Sequence, residues 1–168
     1  MFFKDTTDHH CPRAPADAAF LRGTVHTFLI RDPREAVPSH YALNPKVTLE
    51  EIGYAHLDEL YRAVEAATGG EPTVIDAHDL VHRPDALVRA WCERVGLPFR
   101  PESLHWSPGD RDEWSATARW HTDVSRSHGF HTAVRAYPTT VDNDPVLAAY
   151  HAHHEPYYRR LWERRLPI

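Results

Sequence analysis

The stretch that decides the fold runs from Val25 to Tyr41, VHTFLIRDPREAVPSHY. Apolar Phe28, Leu29 and Ile30 read as a short strand ending on Arg31. Asp32 and Pro33 then open a helix. Asp is a good N-cap, and proline at the first helical position gives up an N–H that would have no partner anyway. Ser39 stands two turns into that helix, eight residues after Arg31. Such a strand–Arg–helix corner gathers a fixed cation, a hydroxyl and a helix N-terminus, which is the chemistry of an anion site.

The flanking sequence repeats the strand–helix alternation. Met1–Lys4 reads as the end of a strand running into a polar turn, and Ala16–Leu21 as a short helix. Thr48 and Glu51 have capping-box spacing for a helix carrying Leu49, Ile52, Leu60, Tyr61 and Val64 at helical intervals, closed by Gly69–Gly70. PTVIDA (72–77) is apolar enough for a buried parallel strand. Asp76 and Asp79 stand at the C-terminal end of that strand, where open α/β sheets place ligands, or Asp79 caps the next helix, which runs from Pro84 and shows Leu87, Val88, Trp91, Cys92 and Val95 on one face before Gly96. Beyond Pro98 the pattern turns to loop and helix: a turn-rich segment at 103–112, a helix over about 112–125, and another from Asp144–Pro145 to the end, kinked at Pro156. The expectation is one α/β domain over 1–168, with an α/β portion (1–97) of about three parallel strands flanked by helices and a mainly helical portion (98–168).

Composition narrows the partners. The chain has 168 residues and a net charge of −5, which does not favour nucleic acid. No apolar run reaches the roughly 18–20 residues that span a membrane, and the start, MFFKDTTDHH, has no apolar signal-peptide region. Cys11 and Cys92 lack metal or redox spacing, which fits a reduced, cytoplasmic setting, although a single disulfide between them is also compatible. The bias to Arg over Lys suits phosphate or carboxylate binding, or merely follows the base composition of the gene. Eight of the 14 histidines fall in three clusters, at 9–10, at 121, 128 and 131, and at 151, 153 and 154. None has a partner motif such as HExxH, so no metal is assigned. One of them is suited to acid–base work near neutral pH. Asp5 and Asp8 flank His9–His10, where a carboxylate could orient an imidazole or simply sit in a solvated turn. Trp106, Trp114, Trp120 and Phe130 are core residues or the wall of an apolar pocket.

Taken in order, FFKDTTDHH, LIRDPREAVPSHY, VIDAHDLVHRPDALVRAWCERVGLPF, LHWSPGDRDEW, WHTDVSRSHGF and YYRRLWERRL resemble a bacterial branch of the sulfotransferase family over nearly the whole chain. The resemblance implies a P-loop-type α/β fold. It implies that Arg31 and Ser39 match the pair holding the 3′-phosphate of the sulfuryl donor PAPS. Lys4 would match the lysine at a strand end that holds donor or sulfuryl oxygens, and His9 or His10 the base that deprotonates an acceptor. Family members also carry, ahead of these elements, a strand and a phosphate-cradling loop. The first glycine here is Gly23, so the expected protein is an N-terminally shortened member lacking the 5′-phosphosulfate loop. Losing several charge-assisted hydrogen bonds of about 1.5–3 kcal/mol each should abolish donor affinity. The missing strand would lie between those ending at Lys4 and Arg31, and the gap would close by their direct pairing or by a second chain in a homodimer.

The functional expectation is therefore an enzyme without cofactor that acts on a small organic, natural-product-type substrate by proton transfer: cyclisation, dehydration or isomerisation. His9 or His10 would be the base, with Lys4 beside it. Arg31 and Ser39 would hold an anionic group, and Asp8 and Trp106 would complete the substrate site. Two alternatives stand beside it: a PAPS-dependent transferase whose donor-binding part is supplied by another polypeptide or is encoded ahead of a start codon assigned too late, and a non-catalytic binding protein on a decayed sulfotransferase fold.

Overall fold

Phe28 and Ile30 alternate inward along β1 (Thr27–Ile30) while Leu29 stays 55 % exposed, the period-two pattern of a strand covered on one face. β1 pairs in parallel with β2 (Thr73–Asp76), in register from Thr27↔Thr73 to Ile30↔Asp76. The parallel α/β arrangement is as expected, but the sheet is small and the chain mostly helical. The computed structural model describes residues 2–132 and 135–168. Two compact units emerge: Met1–Ala77 with Tyr137–Pro167, and His78–Ala136 with Ile168.

The strand expected at Met1–Lys4 does not form within the described residues, which begin at Phe2; Phe2 and Phe3 are 82 % and 60 % exposed coil. A strand needs a neighbour for its backbone groups; Phe3 instead places its ring 6.2 Å from that of Phe20. The anticipated pairing of this segment with β1 is therefore not made. Instead the C-terminal tail flanks β2: Arg165 bridges Val74 in parallel, and Leu166 N–H donates to the Val74 carbonyl at 2.8 Å.

In the first unit, α1 (Arg13–Ala16) and α2 (Ala18–Gly23) replace the single helix expected there, because Asp17 accepts from the N–H groups of Ala19 and Phe20 and starts a new helix. Asp32 caps α3 (Pro33–Leu43) through the Arg34 N–H. The capping box is real: Thr48 N–H donates to Glu51 at 2.6 Å and Glu51 N–H returns to the Thr48 hydroxyl at 3.4 Å. It caps only a short 3₁₀ turn (Glu50–Ile52), since Gly53 at φ +84° breaks the run and α4 (Tyr54–Thr68) starts afresh. Leu21, Phe28, Ile30, Tyr61, Val64, Val74 and Leu161 form the core around the sheet, and Val37, Val141 and Leu147 a second cluster.

In the second unit, α5 (Ala77–His82) follows β2 without a break, so Asp79 sits inside a helix, paired to Arg83 at 3.0 Å, rather than capping one. α6 (Pro84–Val95) ends at left-handed Gly96 as its sequence indicates. The helix expected over 112–125 is a pair of 3₁₀ segments, Asp112–Trp120 and Val124–Arg126, with Thr117 off helical geometry. No residue of either segment is buried, and a helix that buries no face lacks its main source of stability. α7 (Pro145–Trp162), back in the first unit, continues through Pro156 but stops short of the tail. Cys11 and Cys92 are free thiols. Among the described residues no helix is long and apolar enough to cross a membrane.

Candidate functional site

Open α/β sheets offer ligands the carboxyl ends of their strands, and in the first unit that end is polar. Arg31 follows β1, and its carbonyl accepts a hydrogen bond from the Tyr54 hydroxyl at the start of α4. Asp76 closes β2 and is buried, with the Tyr158 hydroxyl donating to its Oδ2 at 3.1 Å. Burial pushes both phenols up, and the Asp76 carboxylate adds to the effect at Tyr158. Both tyrosines are therefore protonated donors at neutral pH. His154 on α7, its ring 5.7 Å from that of Tyr54, donates from Nε2 to the Leu49 carbonyl at 2.8 Å. Burial holds its pKa down to about 4, so the imidazole is neutral, with Nδ1 unsatisfied among the described residues.

A second group lies at the same end of α4. Gly53 carries no side chain where the chain before it passes: a Cβ there would stand 2.7 Å from the Thr7 carbonyl oxygen. This close approach lays residues 7–10 along α4. His56 Nδ1–H donates to the Thr7 carbonyl at 3.0 Å, His10 stacks on His56 with ring centroids 4.6 Å apart, and His10 Nε2 lies 3.0 Å from Glu59 Oε2. Consecutive residues Gly53 and Tyr54 thus serve both groups, one seating the N-terminal strap and the other holding the Arg31 carbonyl.

The residues singled out in the sequence fall unevenly on this frame. His10 acquires a carboxylate partner. His9 has an 85 % exposed side chain, 3.8 Å from Asp8, whose other oxygen takes the Thr6 hydroxyl. Lys4 is exposed in the coil before the strap. Arg31 Nε donates to Glu35 at 3.2 Å, and the Ser39 hydroxyl receives the Tyr137 hydroxyl at 2.9 Å, so each has an internal partner. Trp106 belongs to the second unit, where its indole N–H donates to Ser127 Oγ at 3.0 Å and its ring meets Phe130 edge-on. An open concavity of about 600 Å³ in that unit is lined by Arg83, Asp85, His105, His128 and Phe130 among others, but not by Trp106. Glu59 and His56 were missed from sequence. They recur three apart after Gly53 on one helix face, but nothing in the spacing says that a distant segment covers that face.

The sulfotransferase-domain family model matches residues 1–164, so the match takes in both groups. The chain belongs to the sulfotransferase domain family. Among curated proteins, this sulfotransferase-domain chain is similar to branched-chain-amino-acid aminotransferase-like proteins 2 and 1 of Arabidopsis thaliana, at 31 % and 33 % identity over 116 residues. Each match covers 68 % of the chain, and the chain spans about a fifth of each relative's length. No solved structure matches significantly.

Proposed function

We propose that this sulfotransferase-family chain is an enzyme that takes a proton from a small organic substrate through His10, without PAPS. One observation carries the reading: the 3.0 Å approach of His10 Nε2 to Glu59 Oε2. A neutral imidazole that donates from Nε2 to a carboxylate presents a lone pair at Nδ1 and gains a stabilised imidazolium when it accepts a proton. Stacking on His56 restrains the ring, and a 47 % exposed side chain leaves it reachable. Lys4, exposed ahead of the strap, would hold an anionic substrate group or steady developing negative charge. Cyclisation, dehydration and isomerisation are the reactions such a base can drive without a group donor.

Independence from PAPS is supported by the partners already on the expected 3′-phosphate pair: Glu35 on Arg31 and Tyr137 on Ser39. A second reading has its own support. Family membership and the pairing of β1 on one side only, among the described residues, suit a sulfuryl transferase whose donor-binding strand is added along that edge by another segment or by a second copy.

Calorimetry with adenosine 3′,5′-bisphosphate separates the two readings. No binding is expected, and tight binding lost in Arg31→Ala would establish the transferase instead. For the base, the chain is incubated with small-molecule extracts and followed by mass spectrometry. His10→Ala should slow substrate consumption by about 10²-fold or more, while His9→Ala leaves it unchanged. Equal consumption by His10→Ala and the wild type would remove His10 from the chemistry.

A further inference from the structure

Asp32, His151 and Glu155 come from two elements far apart in sequence, yet one donor atom from each lies within 4.8 Å of the other two. We infer that these three residues form a binding site for one divalent first-row transition-metal ion, at the carboxyl end of β1. His151 and Glu155 are four apart on α7 and share a face, with Nε2 and Oε2 at 3.6 Å. Asp32 is the N-cap of α3 and reaches the same point from the end of β1.

The donor set is one imidazole and two carboxylates. That is chemistry for Zn²⁺, Mn²⁺ or Co²⁺ rather than for Ca²⁺, which takes oxygen ligands alone. Three protein ligands also leave a coordination position for water or for a substrate oxygen. Two of the three are already oriented from outside. The Arg34 N–H donates to Asp32 Oδ1 at 2.7 Å, and Arg159 donates to Glu155 Oε1 at 2.8 Å. Contacts of this kind orient ligands in established metal centres. Donor atoms around a tetrahedral ion at about 2.0–2.2 Å lie a little over 3 Å apart, so the trio must close by about 1 Å. His151 and Glu155 have side chains 23 % and 29 % exposed, which leaves room for that adjustment and for entry of the ion from water. Without a metal the same trio is a polar cluster of one imidazole and two carboxylates, and the test must distinguish the two.

The experiment titrates Co²⁺ into chelator-stripped full-length chain, reads the visible d–d absorption, and then displaces Co²⁺ with Zn²⁺. Because 14 histidines offer adventitious sites, three variants accompany the wild type. His151→Ala removes the imidazole. Asp32→Asn removes a charged ligand while keeping a good N-cap, so α3 survives. His153→Ala removes an exposed neighbour on the same helix. Wild type and His153→Ala should each bind one saturable equivalent, and His151→Ala and Asp32→Asn should bind at least about tenfold more weakly with unchanged circular dichroism. No saturable equivalent in the wild type, or equal binding in all four proteins, would overturn the site. The readout is metal occupancy, so it stands or falls apart from any role of His10.

Discussion

Replacing Gly53 by Ala should unseat the N-terminal strap. Gly53 sits at φ +84°, where an L-residue carries about 1–2 kcal/mol of strain. Its new Cβ would also lie 2.7–2.8 Å from the carbonyl and hydroxyl of Thr7, two backbone atoms among them, so the strap must move rather than a flexible side-chain tip. Movement breaks the His56–Thr7 hydrogen bond, at about 0.5–1.5 kcal/mol. The total is about 1.5–3.5 kcal/mol, or roughly 3–14 °C in melting temperature for a chain of this size. Thermal melts by circular dichroism would read the loss, and hydrogen exchange over residues 5–10 would show the strap released. Gly23→Ala is the control, since a Cβ there meets nothing within 4 Å. A Gly53→Ala protein that melts with the wild type and keeps its strap protected would refute the argument.

Three further outcomes rest on the packing. His154 is neutral in the fold with its pKa held down to about 4, while the unfolded chain titrates near 6.5. The unfolded state therefore binds more protons below neutrality, and stability should fall by about 2 kcal/mol from pH 7 to pH 5 through this group; urea titrations should show that component gone in His154→Gln. Asp58 is fully buried between Arg62 at 3.0 Å and Arg160 at 2.6 Å, both with exposed side chains. Removing both arginines strands a buried carboxylate and should cost about 3–5 kcal/mol, whereas Asp58→Asn should cost much less; equal losses in denaturation would contradict this. Tyr158→Phe removes one donor to buried Asp76 and should lower stability by about 1–2 kcal/mol, measured in the same way.

Local signals were legible where short-range chemistry decides. The Phe28–Ile30 strand, the Asp32–Pro33 helix start, the Val74 strand and the glycine stops at 69 and 96 all arise from caps, periods and left-handed backbone. The Thr48–Glu51 box was legible as well, but the length of its helix was not, because the break at Gly53 is tied to a backbone about 46 residues earlier. The same limit governs the site. His10 stood out by type, but its partners Glu59 and His56 depend on tertiary placement. Arg31 and Ser39 were readable as a pair of anion ligands, while the side chains that engage them, Glu35 and Tyr137, include one nearly a hundred residues away. Asp32, His151 and Glu155 form no motif at all until β1 and α7 are brought together.

The Val74–Leu166 hydrogen bond sets an order of events during synthesis. β1 and β2 can pair once residue 76 has left the ribosome, but β2 keeps a bare flank until some ninety further residues have been made. A nascent chain in that interval displays an unfinished ladder to its neighbours, which is a template for association. Slow translation of the second half should therefore favour aggregation, and chaperones that shield extended segments should matter more for this polypeptide than its modest length suggests.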